Sequence, residues 1–168
     1  MEQTFVALKP DAVQRGIIGD IISRFERAGL KIVAMKMVTP DEAHFHEHYE
    51  NIGQLISRRG EEVYRVALAA MMEAPVVAMV LEGIDAVEHV RKMVGATDPK
   101  ESAPGTIRGD FTHISRSYAV SKGRTLPNII HASADVKEAA EEIKLWFSPA
   151  EMHTYQGAHH RVVHGRKP

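Results

Sequence analysis

The chain contains no cysteine, which excludes disulfide frameworks, thiolate catalysis and cysteine-ligated zinc. It also lacks an excess of either charge. Its 21 basic and 22 acidic residues leave a net charge of −1, so the whole-molecule field offers no footprint for nucleic acid or an anionic membrane. Long apolar runs are missing too: the first, Phe5 to Leu8, is too short for a signal peptide or a membrane span, and the expectation is a cytoplasmic protein. Repeats, low-complexity tracts and a linker between two halves are all absent, so residues 1–168 read as one domain. At this length folding buries about 68–70% of the unfolded surface. The 44% hydrophobic content can fill that core without staples.

Thr4 to Leu8 is a β-rich run stopped by Lys9-Pro10, since proline cannot donate to a central ladder. Ile18, Ile21, Ile22 and Phe25 follow at helical spacing up to Gly29, and Leu30 to Val38 reads as a second strand. Thr39-Pro40-Asp41-Glu42 is a helix-start signature, and residues 41–72 are expected to be mostly helical with breaks near Gly53 and Gly60. Val76 to Leu81 is nearly all apolar, as suits a strand buried on both faces. Ile84, Val87, Val90, Arg91 and Val94 keep helical spacing to Gly95. Residues 95–127 lose periodicity and read as a long loop. A short strand at Asn128 to Ile130, a helix with Val136, Ala139, Ala140, Ile143 and Trp146 on one side, and a tail at 148–168 complete the chain. Strands interleaved with helices predict an α+β sandwich with one sheet face covered. Its simplest form is a ferredoxin-like β-α-β-β-α-β core with an antiparallel sheet, extra helices and a long loop.

Two constellations carry chemistry. The first is histidine, of which there are ten. His44 and His48 stand i, i+4 in an HxHxH cluster, a spacing compatible with a divalent metal but equally with a wet helix face. His89, His153, His159, His160 and His164 read as surface or tail. His131, in NIIHAS, lies after an apolar pair and before a helix carrying acidic residues. Burial beside a carboxylate fixes one imidazole tautomer and frees the other nitrogen as a nucleophile, while a structural histidine at a strand end fits the same window. The second constellation is cationic: Lys9 at the end of strand one, Arg91 at a helix end and Arg108 within PGTIRGD, with Thr97 and Asn128 as neutral donors. Such a set suits a polyphosphate, whose transfer depends on positioning and charge stabilisation. Neither a Walker-type GxxxxGK(S/T) nor a GxGxxG is present. The RGD tripeptide at 108–110 is too short to indicate adhesion.

Taken in order, TFVALKPDAVQRGIIGDIISRFERAGLKIVAMKM, HY at 48–49, PVVAMVLEG at 75–83, VRKMVGATDP at 90–99, PGTIRGDF at 104–111, NIIHAS at 128–133 and EEIKLWF at 141–147 resemble nucleoside diphosphate kinases over most of the chain. The resemblance implies Mg-dependent ping-pong transfer of a γ-phosphoryl group from a nucleoside triphosphate, typically ATP, to a nucleoside diphosphate through a phosphohistidine. On this sequence His131 would be the nucleophile, Glu142 would orient its ring and Ser133 would support that carboxylate. Lys9, Tyr49, Arg91, Thr97, Arg108 and Asn128 would contact phosphates and ribose. Magnesium would arrive on the nucleotide, so no dedicated protein metal site is expected. An imidazole with an ordinary pKa of about 6.5 is roughly three-quarters neutral at pH 7, enough to attack without a separate base. Di- and triphosphates would be the partners, with neither nucleic acid nor membrane, in a homo-oligomer, a hexamer ahead of a tetramer.

The chain departs from the family pattern in three places. The KPFF segment after the HY pair is missing, which leaves the base-stacking residue open between Ile56 and Tyr64. The stretch between Phe111 and Asn128 is about ten residues longer than usual, so residues 112–127 are expected to form an extra hairpin or lobe. Ala132 and Ala134 stand where glycine and aspartate are common. These departures motivate the alternative of a weak or inactive nucleotide-binding or assembly protein on the same fold.

Overall fold

Alternation along β1 (Glu2–Leu8) sends Val6 and Leu8 to one face of the sheet and Phe5 and Ala7 to the other. β3 (Val76–Gly83) divides Val77, Met79 and Leu81 from Val76, Ala78 and Val80 in the same way, and all six are buried. Two-sided burial explains why this strand is an unbroken apolar run. With β2 (Lys31–Val38) and β4 (Ile130–Ala132) they form a four-stranded sheet in the order β2-β3-β1-β4, in which every neighbouring pair is antiparallel. This is the ferredoxin-like α+β arrangement. The computed structural model describes residues 1–157 and Val162. His159, His160 and His164 of the tail lie outside the described residues.

Helices cover both faces, which corrects the expectation of one covered face. α2 (Ile18–Arg27) brings Ile21 and Phe25, and α6 (Ala86–Val94) brings Val90 and Val94, to the first face. On the second, α3 (Glu42–His46) contributes Phe45, α5 (Glu61–Met71) contributes Met71 and α9 (Val136–Trp146) contributes Trp146. Each fully buried Phe or Ile adds about 1.5–3 kcal/mol over leaving it exposed. No helix among the described residues is long and apolar enough to cross a membrane.

The breaks expected near Gly53 and Gly60 are present. α3 runs into a π-helical turn, Glu47–Ile52, then α4 (Leu55–Arg59) and α5 follow on either side of Gly60. Pro10 does more than stop β1: it occupies the first turn of a short helix, α1 (Pro10–Gln14), where its missing N–H is no loss.

Residues 95–127 contain local structure that periodicity missed. α7 (Ile107–Phe111) is capped by Thr106, whose Oγ1 accepts the Gly109 N–H. A Cβ at Gly109 would overlap the Ala103 carbonyl, so glycine is required there. The expected hairpin or lobe at 112–127 carries a helix, α8 (Arg116–Ser121), capped by the Ser115 hydroxyl and tied back by Asp98, which accepts the Arg116 N–H at 3.0 Å.

At the other end of the sheet, residues 151–155 run beside β2. The His153 N–H donates to the Val33 carbonyl at 2.8 Å, and the Tyr155 hydroxyl to that of Ile32 at 2.7 Å.

Candidate active site

β4 begins two residues later than expected, and the cause lies beside His131. Ile129 has φ +55, a left-handed conformation costly for a β-branched side chain. Its surroundings hold it there: the Ile129 N–H donates to Asp11 Oδ2, its carbonyl accepts the Lys9 N–H, and the Ile130 N–H reaches back to the Asn128 carbonyl at 2.7 Å. Asn128 and Ile129 therefore cannot extend the strand, and His131 sits in the middle of β4, paired with Ala7 of β1, rather than after its end.

His131 Nε2 lies 2.6 Å from Glu142 Oε1, and Ser133 Oγ donates to Glu142 Oε2, also at 2.6 Å. Ser133 and Glu142 are fully buried. Burial pushes the Glu142 carboxyl up to about 7, opposed by His48 and the Ser133 hydrogen bond. His131 moves the other way. Burial first, then the positive charge of Lys9, with Glu138 opposing and Arg108 and Arg91 adding to the shift, hold its pKa far below the ordinary imidazole range. The shift favours the neutral ring, in the same direction as the expectation from an ordinary imidazole. With Nε2–H given to Glu142, the Nδ1 lone pair is free.

Lys9 Nζ donates to Asn128 Oδ1 at 2.7 Å, and Asn128 Nδ2 donates to the Thr97 carbonyl at 3.0 Å. Burial, aided by Arg108 and opposed by Asp11, lowers the Lys9 pKa to about 8. Arg108 is buried, and its guanidinium is held by four backbone carbonyls. Nε donates to Asn128, Nη1 to Gly95 and Ala96, and Nη2 to Ile130. Within the RGD tripeptide Arg108 is thus turned into the structure, while the exposed Asp110 is bound by Arg24 and the Gly105 N–H. Arg91 reaches the Ser133 carbonyl at 3.4 Å.

Lys9, Tyr49, Arg91, Thr97, Arg108, Asn128, His131 and Glu142 line one cavity of about 640 Å³, and Ser133 stands behind Glu142. The structure thus brings together every residue that the family resemblance implied for the site, while His44 of the candidate metal pair does not line the cavity. The cavity is also lined by aliphatic Leu55, Val63, Val66, Ala119 and Val120, with Arg58, Glu62, Arg116 and Arg124 from the same segments. Neither Ile56 nor Tyr64 lines it, and Tyr64 stands against His46 instead, with ring centroids 5.7 Å apart.

Sequence reasoning paired His48 with His44 and missed its place beside His131 and Glu142. It is buried, its ring lies edge-on to that of His131 with centroids 4.7 Å apart, and its Nδ1 accepts the Trp146 indole N–H at 3.3 Å. Its Nδ1 is also 3.5 Å from Glu142 Oε1. The i, i+4 pairing of His44 with His48 drew attention to the wrong partner, because a π-helical turn intervenes. Among the described residues the metal-compatible cluster is His48, His131 and Glu142. Its nitrogen-rich donors are already committed to one another and to Trp146, a poor fit for magnesium, which prefers oxygen ligands.

The nucleoside diphosphate kinase family model matches residues 2–152. The chain is 51% identical over 156 residues to the nucleoside diphosphate kinase of Pyrococcus furiosus, covering 92% of this chain and 88% of that protein. It is 44% identical over 156 residues to that of Borreliella burgdorferi, covering 93% of each. A solved structure described as a transition state mimic of nucleoside-diphosphate kinase from Borrelia burgdorferi, with bound vanadate and ADP, superposes with a TM-score of 0.94 at 41% identity over 98% of both chains.

Proposed function

The chain belongs to the nucleoside diphosphate kinase family, and from that membership and the cavity's geometry we propose that His131 carries the phosphoryl group in a ping-pong exchange between nucleoside tri- and diphosphates. One observation carries this reading. The hydrogen bond of Nε2 to Glu142 leaves Nδ1 as a neutral nucleophile inside a cavity lined by Lys9, Arg91 and Arg108.

In the first half-reaction Nδ1 attacks the γ-phosphorus. The bond from that phosphorus to the bridging oxygen breaks, and the diphosphate leaves with the electron pair. The ring keeps its Nε2 proton and gains positive charge, which the Glu142 carboxylate balances, with Ser133 fixing the carboxylate's orientation. Arg91, Arg108 and Lys9 stabilise charge on the transferring group and the leaving diphosphate. Thr97 and Asn128 add neutral donors, and Tyr49 closes the cavity beside Lys9. The second half-reaction reverses these steps with another diphosphate. Leu55, Val63, Val66, Ala119 and Val120 offer the base apolar contact area, which carries little hydrogen-bonding pattern and so tolerates several bases.

Magnesium enters with the nucleotide and supplies charge neutralisation on the phosphates. Of the carboxylates lining the cavity, Glu62, Glu138 and Glu142, the last is committed to His131 and Ser133, and Glu138 is the one on the same helix one turn away. Family membership also supports a cytoplasmic, symmetric homo-oligomer, a hexamer ahead of a tetramer.

Two-substrate kinetics test the exchange. Double-reciprocal plots against ATP at several fixed diphosphate concentrations should be parallel, as a covalent intermediate requires. Intersecting lines would mean that both nucleotides must be bound together.

The Lys9 ammonium sets an alkaline limit. Below its pKa of about 8 the charge is present, and as the pH rises through that value the charge is lost, so kcat/KM should fall with an inflection near 8. In Lys9→Arg the remaining activity should lose that inflection, because arginine stays charged. An inflection unchanged in the variant would assign it to another group.

A further inference from the structure

Glu138 stands one helical turn before Glu142 on α9 and lines the same cavity. Its Oε1 accepts the Ala134 backbone N–H at 3.1 Å. No hydrogen bond to its other oxygen and no ion pair with lysine or arginine forms among the described residues. A half-buried carboxylate is thus placed unpaired at the end of the cavity where polyphosphate would dock, close enough to His131 for their charges to interact.

Helix capping accounts for only part of this placement. Asp135 caps α9 by accepting the Glu138 N–H at 2.8 Å, and Glu138 reaches back to the residue before the cap. That contact uses one oxygen, and a glutamine would make it equally well. The negative charge also suits the N-terminus of α9, a modest and solvent-screened gain that any acidic residue of the first turn would supply without entering the cavity. Beside a polyanion it is repulsive, and it becomes favourable only when a cation lies between the two.

We propose that Glu138 is the carboxylate that meets the divalent cation carried on the nucleotide's phosphates, using the oxygen that the helix cap leaves over. Magnesium sheds its waters reluctantly and is held through one or two carboxylates plus substrate phosphates, a donor set that a single glutamate beside a phosphate site completes. Burial raises the Glu138 pKa, and Glu142 adds to that shift, so the charge is held at a cost that a nearby cation would offset. Glu138 thereby favours the magnesium complex over the free nucleotide. The inference rests on the assignment of this cavity to magnesium nucleotides.

Calorimetric titration of ADP into the wild-type protein and Glu138→Gln, each with excess magnesium and with EDTA, tests it. Magnesium should tighten ADP binding to the wild type. That enhancement should shrink about tenfold in the variant, through tighter binding of free ADP, weaker binding of MgADP, or both. A magnesium enhancement equal in the two proteins, or absent from the wild type, would overturn the proposal. Urea unfolding separates the capping role: the glutamine variant keeps the cap's hydrogen bond and loses only a screened charge at the helix N-terminus, so its midpoint should fall only slightly. A markedly lowered midpoint with an unchanged magnesium effect would make Glu138 a helix cap alone. The titration contains no phosphoryl transfer, so its outcome is distinct from a failure of wild-type His131 to become phosphorylated by Mg-ATP.

Discussion

His131→Ala is expected to lower the rate of phosphoryl exchange by about 10⁴-fold or more, the scale seen when a covalent nucleophile is removed from a site that otherwise stays intact. The loss should fall on kcat, because Lys9, Arg91, Arg108, Thr97 and Asn128 remain to bind the nucleotide. ADP affinity should therefore change little. The fold should also survive, since the ring contributes one hydrogen bond to Glu142 and lies at the cavity wall, while the Ser133 bond to the same carboxylate is retained. Steady-state assays together with ADP titration check both halves. Residual exchange within tenfold of wild type would remove His131 from the reaction.

Arg108→Ala should have the second-largest effect, and on two quantities at once. Removing a preorganised charge beside the transferring group is expected to cost about 10²–10³ in kcat. The same substitution strips four backbone carbonyls of their donor, at Asn128, Gly95, Ala96 and Ile130, and two of these flank the strained Ile129. Hydrogen bonds from a charged group contribute about 1.5–3 kcal/mol each and are not additive, so a loss of at least about 3 kcal/mol is expected. In a chain of this length that lowers Tm by roughly 10 °C. Lysine should not restore either quantity, because a single ammonium cannot satisfy carbonyls on opposite sides of a planar fork. A variant with normal Tm and kcat reduced only a few-fold would show that Arg108 neither braces this loop nor touches the phosphates.

Legibility varied with the range of the interactions involved. β1 and β3 were readable because two-sided burial writes itself as an apolar run, and α2, α6 and α9 because one buried stripe repeats at helical spacing. The second covered face was not, because placing α3 and α5 against the sheet depends on the turns between them and not on any pattern within them. The offset of β4 comes from Ile129, an ordinary strand former forced into a left-handed conformation by Asp11 and Lys9, more than a hundred residues away. α8 is a single short helix set by the Ser115 cap, too brief for periodicity to register.

At the site, the chemical types of Lys9, Arg91, Arg108 and His131 were visible from their positions at element ends, and the family motifs supplied Glu142 and Ser133. Their convergence on one cavity could come only from the fold. The neutral state of His131 is likewise a product of burial among cations, a quantity that no local window contains. His48 was hidden by the π-helical turn, and Glu138 by its resemblance to an ordinary capping glutamate.

Incubation of the purified chain with Mg-ATP carrying 32P at the γ position, followed by peptide mapping, measures the phosphoryl carrier directly. The mechanism predicts an acid-labile, base-stable label on the peptide containing His131, discharged within one turnover when an unlabelled diphosphate is added. Exchange activity with no label on that ring, or with a label that diphosphate fails to remove, would contradict it.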